Sequence, residues 1–319
     1  MSSSTLSYIA RRILWALPTL LLVATLVFVM LRLIPGDPAI VLLGDDGTPQ
    51  QIADLRAQYG LDKPVTTQFL LWLSHVLRGD LGHSIITGQA VLPLLLERFE
   101  VSASIVLVAV LVAAALAVPA GLYAAWRQGT AADTAIVAVA TLFLSIPSFW
   151  LGLMLLLFVG IKLAWVPIVG YVPFSVDWRA AIAFLVLPIV TLALIETGVL
   201  MRMSRSSAIE TLRLEYVTHA RAKGLKERRV LLRHVLPNAF GPTLTMIGLV
   251  LGHLLGGIAV LETVFTLPGL GRLLVDSIFA RDYPVVQGCL LFTAFVYVFV
   301  NLVIDLCYPF FDPRVGASR

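Results

Sequence analysis

The residue types with the greatest capacity for chemistry are concentrated in one polar stretch, residues 215–238, with the sequence EYVTHARAKGLKERRVLLRHVLPN. Its basic side chains fall within thirteen residues: Arg221, Lys223, Lys226, Arg228, Arg229 and Arg233. Guanidinium and ammonium groups at this density can steer and pair with acidic groups on another protein. They cannot lie in hydrocarbon, yet long apolar runs flank the stretch on both sides. The pattern therefore predicts a charged cytoplasmic loop between two membrane spans.

The order of residues within this stretch predicts its local structure. Residues 215–223 contain no helix breaker, and Gly224 follows where a helix commonly stops in a left-handed residue. Tyr216, Ala220 and Gly224 recur every four residues, so one helix face is small at its C-terminal end. We expect another protein's backbone to approach that face closely. Leu236-Pro237 then closes the loop before the next apolar run.

Motifs for catalysis within one chain are absent, because no HExxH, GxSxG or Walker A sequence occurs. If ATP drives this protein, another chain must bind the nucleotide. Ionisable side chains in or at the ends of apolar runs are few: Glu196, His253, Glu262 and Asp305. Such groups usually face a bundle interior or a watery cavity, and Glu196 is placed to pair with Arg202. A metal site needs several converging ligands, which this pattern does not predict.

Composition identifies an integral membrane protein. Of 319 residues, 59% are hydrophobic and 13% charged, whereas soluble domains average about 25% charged residues. The net charge of +4 does not indicate nucleic-acid binding, because the basic residues lie in loops beside apolar runs. Cys289 and Cys307 share one run at about 27 Å along a helix, which excludes a disulfide and indicates packing roles.

Six apolar runs are long enough to cross a bilayer. They are residues 13–31, 104–125, 134–161, 180–201, 240–261 and 288–309. The first run exceeds a signal-peptide core and lacks a cleavage site, so we predict a retained span. Prolines lie inside the first four runs, at Pro18, Pro119, Pro147 and Pro188, and predict kinks that could serve as hinges. The predicted fold class is all-α, polytopic, with six transmembrane helices.

A long mixed segment, residues 33–103, separates the first two runs. It opens with a turn cluster at 34–38. A short helix is predicted over 49–59, ended by Gly60, and an apolar helix too short to span over 65–77. We predict that this segment is an extracytoplasmic insert, followed by the transmembrane domain at 104–309.

The distribution of Lys and Arg orients the chain. The proposed cytoplasmic parts, residues 1–12, 126–133, 202–239 and 310–319, hold 14 Lys/Arg in 68 residues. The proposed outer parts, residues 32–103, 162–179 and 262–287, hold 9 in 116. This bias predicts that both termini, including the tail 310–319, are cytoplasmic.

The polar stretch resembles the EAA loop of binding-protein-dependent ABC transporter permeases, which reads Glu-Ala-Ala, three residues, Gly, nine residues, Ile-x-Leu-Pro. Ala220, Gly224 and Leu236-Pro237 lie at matching spacings, whereas Thr218-His219 and His234 depart from the motif. ARAKGL and RHVLPNA resemble one branch, the B-type permeases of dipeptide, oligopeptide and nickel importers. The same resemblance extends over RLIPGDPA, QYGLDKPV, RGDLGHS, LETVF, PGLGR, ARDYPVVQG and NLVIDL.

This resemblance implies a type I ABC importer permease in the bacterial inner membrane. The implied partners are a C-type permease, two ATPase subunits that bind ATP and Mg, and an extracytoplasmic solute-binding protein. The loop 202–239 would carry a coupling helix seated in an ATPase groove, with Glu215, Tyr216, Ala220, Arg221, Lys223, Gly224, Leu236 and Pro237 as its residues. The insert would either dock the binding protein or cap the pore. The implied cargo is a peptide or peptide-like solute, with nickel chelates or glutathione as alternatives.

One span adds candidates for the transport path. Gly248, Gly252 and Gly256 recur every four residues and predict close helix packing. This packing lies either within one subunit or at a seam near the path or the partner permease. His253 is the best candidate for a pore-lining polar group, with a hydrogen-bonded packing histidine as the alternative.

Two other function classes fit the sequence less well. A secondary transporter usually carries paired repeats and mid-membrane ionisable residues in one chain, and no internal repeat is evident here. A membrane enzyme is disfavoured by the missing motifs. For the loop itself, the simpler interpretation is a basic segment that only sets topology. Neighbouring genes for ATPases and a binding protein would separate the transporter classes.

Overall fold

The computed structural model describes residues 3–33, 48–58, 62–168 and 170–311. Every extended regular element in these residues is a helix, which confirms the all-α fold class. The helices are α1 Ser3–Leu33, α2 Pro49–Gln58, α3 Val65–Leu77, α4 Val91–Trp126, α5 Ala131–Ser145, α6 Ser148–Leu155, α7 Trp178–Leu212, α8 Glu215–Ala222, α9 Glu227–Val230, α10 Leu236–Gly257, α11 Ala259–Val264, α12 Leu270–Phe279 and α13 Tyr283–Phe311. Two π-helical segments, Leu156–Lys162 and Leu231–Val235, follow α6 and α9. The predicted turn at 34–38, the stop at Gly60 and the tail from residue 312 lie outside the described residues.

Five helical stretches in the described part are long and apolar enough to cross a membrane. They are Arg11–Met30, Val91–Trp126, Trp178–Leu212, Glu227–Gly256 and Tyr283–Leu306. A sixth span results if the pair Ala131–Ser145 and Ser148–Lys162 is taken together. The two members of this pair are bent by 96°. The chain is therefore a multi-pass membrane protein.

The third predicted span, residues 134–161, is not one continuous helix. It breaks at Ile146, whose backbone is extended (φ −89°, ψ 125°), and α6 restarts after Pro147. The residue before a proline is driven out of the α region by the pyrrolidine ring, and Pro147 has no N–H to continue the helix. Pro18, Pro119 and Pro188 lie inside continuous helices instead.

Two helices extend well beyond the apolar runs that predicted them. The apolar sequence predicts the second span at 104–125, yet α4 starts at Val91 and is about 54 Å long. The hydrocarbon core of a bilayer is only about 30 Å thick. The boundary that we predicted at residue 103 therefore falls inside a helix. α7 continues from the fourth run to Leu212, so the first part of the predicted loop 202–239 is helical. Hydropathy marks the apolar part of each helix, whereas its ends are set by breakers and caps.

The main core joins α4, α5, α7 and α10. Ala109, Ala113 and Ala117 of α4 are fully buried at intervals of four residues, a spacing that lets helix backbones approach closely. Gly121 continues this stripe, since a methyl group there would lie 2.8 Å from the Met201 carbonyl oxygen. α4 and α7 thus form a tightly packed central pair. The C-terminal ends of α4 and α7 pack against the polar loop described below.

Among the described residues of the insert, aromatic contacts and hydrogen bonds join it to the helical bundle. The Phe28 ring of α1 lies 5.3 Å from Phe69 and 5.5 Å from Trp72 of α3. Near the start of α13, the buried carboxylate of Asp282 accepts hydrogen bonds from the Ser84 hydroxyl at 2.5 Å and the Ile85 N–H at 3.1 Å. α3 is short, as its predicted range 65–77 requires.

Candidate functional site

The polar loop, residues 213–235, begins with the predicted short helix, α8. Its stop has the conformation expected from the sequence: Gly224 is left-handed at φ +77°. The N–H of Gly224 donates to the Arg221 carbonyl at 2.9 Å, and that of Leu225 donates to Ala220 at 3.4 Å. Gly224 is exposed, and a methyl group there would contact nothing within 4 Å. Glycine is therefore required here by backbone conformation, not by crowding within this chain.

One face of α8 packs against the ends of the membrane helices. The shared cluster contains Leu122, Ala125, Ala208, Val217, Ala220, Val230, Val235 and Ala239. Ala220 is only 6% exposed and Val217 is fully buried. These two residues share a face because they are three apart on a helix. The expectation that Ala220 faces a partner protein is therefore wrong, since its small side chain instead lets α8 lie close to its own chain.

The other side chains of α8 and its terminal turn are mostly polar and exposed. Tyr216 is 39% exposed, and its hydroxyl donates to the His234 carbonyl at 3.2 Å. Arg221 and Glu227 form two hydrogen bonds, at 2.9 Å from Nε and 3.3 Å from Nη2. Lys223, exposed beside Gly224, carries a further positive charge. Glu215 lies in the first turn, where the helix dipole favours an acidic residue.

The second half of the polar loop is helical and leads directly into the next span. α9 passes through the π-helical segment Leu231–Val235 into α10, and the continuous stretch Glu227–Gly256 has the length and hydropathy of a membrane span. α10 begins at Leu236 with Pro237 in its first turn, where a missing N–H is tolerated. Leu236-Pro237 was expected to close the loop, but it lies inside the continuous helical stretch that begins at Glu227. α9 is therefore joined to α10 without a break in the helix, whereas the turn at 223–226 separates α8 from α9.

The sequence reasoning missed an ion pair between Arg205 of α7 and Asp133 of α5. The Arg205 guanidinium donates to Asp133 through Nε at 2.7 Å and Nη2 at 2.8 Å. The Gly129 N–H donates to the same carboxylate at 2.9 Å. These bonds link the start of α5 to the polar extension of α7, and hydrogen bonding to Arg205 lowers the pKa of Asp133. The available signal was an aspartate just after the turn at 127–130 and an arginine in the polar residues that follow the fourth apolar run.

Two of the four ionisable candidates near the spans have structural partners. Arg12 of α1 and Asp305 of α13 form an ion pair at 3.1 Å. Glu262 is buried and accepts hydrogen bonds from the Ser102 hydroxyl at 2.5 Å and the Arg272 N–H at 2.8 Å. This carboxylate therefore caps the first turn of α12 and ties it to α4.

The other two ionisable candidates, Glu196 and His253, do not belong to a cluster of potential metal ligands in the described part of the chain. Glu196 is 8% exposed, and no ion pair joins it to Arg202, contrary to our expectation. Six residues correspond to about 600° of helical rotation, which places the two side chains on different faces. His253 is exposed on α10. Among the residues that the structure describes, no three His, Cys, Asp or Glu side chains converge on a metal position.

The glycine strip of α10 packs against α13 of the same chain. A methyl group at Gly248 would lie 2.6 Å from Ile304, and one at Gly252 would lie 2.7 Å from Tyr297. At Gly256 the corresponding neighbour is Thr293, at 3.1 Å. Of the two interpretations of this strip, packing within one subunit therefore accounts for these contacts. Cys289 of α13 is likewise a buried packing residue.

Comparisons with known proteins agree with this architecture. Residues 117–317 match the family described as the binding-protein-dependent transport system inner membrane component, and residues 5–110 match the family of its N-terminal part. The glutathione transport system permease protein GsiC of Salmonella choleraesuis (strain SC-B67) is 39% identical over 97% of this chain and 99% of its own length. The di/tripeptide transport system permease protein DppB of Pseudomonas aeruginosa (strain UCBPP-PA14) is 37% identical over 98% of this chain and 100% of its own.

The fold also has a solved counterpart. A chain of the MetNI methionine ABC transporter, solved in inward-facing conformations, aligns with a TM-score of 0.51 and 18% identity over 71% of this chain and 97% of that chain. The all-helical architecture is thus that of a type I ABC importer permease. With two family matches that together reach from residue 5 to residue 317, the chain belongs to the binding-protein-dependent transport system inner membrane components and is a permease subunit of an ABC importer.

Proposed function

We propose that this chain is the B-type half of a heterodimeric permease that imports peptides or peptide-like solutes. The names of its relatives support this cargo class, since one is a di/tripeptide permease and another a glutathione permease. A glutathione-type or nickel-chelate importer of the same family is the alternative. A binding protein that carries only one of these solutes would identify the cargo. A secondary transporter is less favoured, because the family match already accounts for nearly the whole chain.

The proposed partners are a C-type permease, two cytoplasmic ATPase subunits and an extracytoplasmic solute-binding protein. The polar loop would contact an ATPase through the outward face of α8 and its terminal turn. Its residues in this role are Glu215, Tyr216, Arg221, Lys223 and Gly224, with Ala220, Leu236 and Pro237 positioning them. One observation carries this proposal: α8 is fixed to three membrane helices through its apolar face while its basic face stays exposed. A helix held in this way could transmit an ATP-driven movement of the ATPase subunits to the membrane helices.

We expect the purified chain alone to hydrolyse no ATP, because it has no phosphate-binding loop. Neither ATP nor Mg is expected to bind to it as a cofactor. Phosphate release should be measured in reconstituted vesicles that contain the chain alone or with its ATPase subunits. Hydrolysis only in the second preparation is the expected result. Robust hydrolysis by a preparation free of other subunits would refute the assignment as a non-catalytic subunit.

We also expect both termini and the polar loop to lie in the cytoplasm of the bacterial cell, with the insert outside. Single cysteines should be introduced at Ser3 and Thr48 after replacement of Cys289 and Cys307. An impermeant maleimide should then label Thr48→Cys in intact cells and Ser3→Cys only after lysis. Equal labelling of both positions from outside would contradict this topology.

A further inference from the structure

A groove of about 440 Å³ lies between the end of α4 and the helix that enters α10. Its lining consists of Val118, Pro119, Leu122, Tyr123, Trp126, Arg228, Leu231, Leu232 and Leu236. Leu232 is 50% exposed and Tyr123 is 44% exposed within this chain. The groove is therefore an open apolar surface, and it is separate from the outward face of α8.

The groove is lined by aliphatic side chains at one end and by aromatic and basic side chains at the other. From Val118 to Trp126, α4 contributes about 12 Å of wall. The inner part is aliphatic, whereas Trp126 is the last residue of the helix and Arg228 lines the same groove. The Arg127 guanidinium stacks 4.2 Å from the centre of the Trp126 ring. Two guanidinium groups and a tryptophan thus mark the end at which the membrane helix emerges.

We propose that this groove binds an anionic phospholipid of the cytoplasmic leaflet. Tryptophan and tyrosine favour the headgroup level of a bilayer, and basic pockets between membrane helices bind anionic headgroups. The phosphate would lie with Arg127 and Arg228, and an acyl chain would cover Leu122 and Leu232. Val118 lies about 12 Å along α4 from Trp126, inside the apolar run 104–125, so the inner part of the groove is placed to meet acyl chains. The proposal rests on the topology given above, which places Trp126 at the cytoplasmic surface.

The test uses the whole importer complex in lipid nanodiscs with a photoactivatable phosphatidylglycerol that carries a diazirine in its acyl chain. After irradiation, labelled peptides are mapped by mass spectrometry. We expect labelling within residues 118–126 and 227–236, at least five-fold above that given by the matching phosphatidylcholine probe. Arg127→Gln combined with Arg228→Gln should reduce the labelling at least five-fold. Leu232→Trp, which fills the groove from a half-exposed position, should reduce it independently.

Arg213→Gln is the matched control, because Arg213 is an exposed arginine at the end of α7 and does not line the groove. It should leave labelling unchanged. Equal labelling by the zwitterionic probe, or unchanged labelling in both groove variants, would overturn the proposal. So would a cross-link from the groove to the partner permease in place of lipid. Each variant is first shown to assemble with the ATPases, so a failure here is distinct from a failure of the proposed transport function.

Discussion

Replacing Gly224 with valine should lower co-purification of the ATPase subunits at least ten-fold while the membrane helices remain folded. Gly224 holds a left-handed conformation at φ +77°, which a β-branched residue adopts only at a cost of about 1 kcal/mol or more. The turn is exposed and open within this chain, so the valine would not disturb the core. It would instead distort the turn and add bulk where we propose that an ATPase fits closely.

Gly129→Val provides a matched control for this effect. Gly129 is also left-handed, at φ +79°, and a methyl group there would likewise contact nothing within 4 Å. It belongs to the turn after α4, outside the polar loop. Both variants therefore carry the same backbone strain, and only Gly224→Val should lose the ATPases and substrate-stimulated hydrolysis. Equal loss in both variants, or wild-type transport by Gly224→Val, would contradict the proposed contact.

Replacing Asp133 with asparagine should lower the free energy of unfolding by about 1–3 kcal/mol, the range for removing one partner of a buried hydrogen-bonded group. The Asp133 side chain is 6% exposed and that of Arg205 is 26% exposed. Because Arg205 stays partly exposed, the larger losses seen for fully buried pairs do not apply. Unfolding should be followed by denaturant titration of the detergent-purified chain.

A double-mutant cycle with Arg205→Met separates this pair from general damage, because the two changes together should cost less than their sum. Glu227→Gln is the comparison variant: it removes the exposed ion pair with Arg221 and should change stability by less than about 1 kcal/mol. Strict additivity in the cycle would show that the Asp133–Arg205 contact carries no coupling.

The Asp133–Arg205 pair also predicts a direction for the pH dependence of stability. Arg205 lowers the pKa of Asp133 in the folded chain, so the folded state binds the proton more weakly than the unfolded chain does. The stabilisation is therefore present above the ordinary pKa of an aspartate and is lost as the pH falls through the lowered value. Asp133→Asn should remove this part of the acid sensitivity.

The sequence located the membrane spans well where apolar runs are uninterrupted. It located the starts and breaks of helices less well, because these depend on individual residues. Hydropathy located α1, α7, α10 and α13 because lipid-facing positions must be apolar. It could not reveal that α4 begins at Val91, since Glu97, Arg98 and Glu100 interrupt the apolar sequence within the same helix. The break at Pro147 was visible only as a proline. Three other prolines lie inside continuous helices, so a proline alone does not identify a break.

For the polar loop, the sequence likewise predicted the local structure but not the contacts between helices. The helix over 215–223 and the left-handed Gly224 follow from local rules, and both are present. The orientation of α8 was not accessible, because a small residue such as Ala220 suits a partner's backbone and its own chain equally well. Burial of Val217 on the same face decides between them. The Asp133–Arg205 contact joins residues 72 positions apart and depends on how α5 and α7 pack.

The most direct test of the coupling proposal is a photo-cross-link from Lys223 in the assembled importer. Lys223 is exposed at the end of α8, immediately before Gly224. With p-benzoylphenylalanine in place of Lys223, irradiation of membranes should yield one covalent product between this chain and an ATPase subunit. The yield should change on addition of ATP, because α8 would move when the two ATPase subunits close on each other. A Lys223 probe that reacts only with lipid or with the permease itself would contradict the assignment of the polar loop as the ATPase contact.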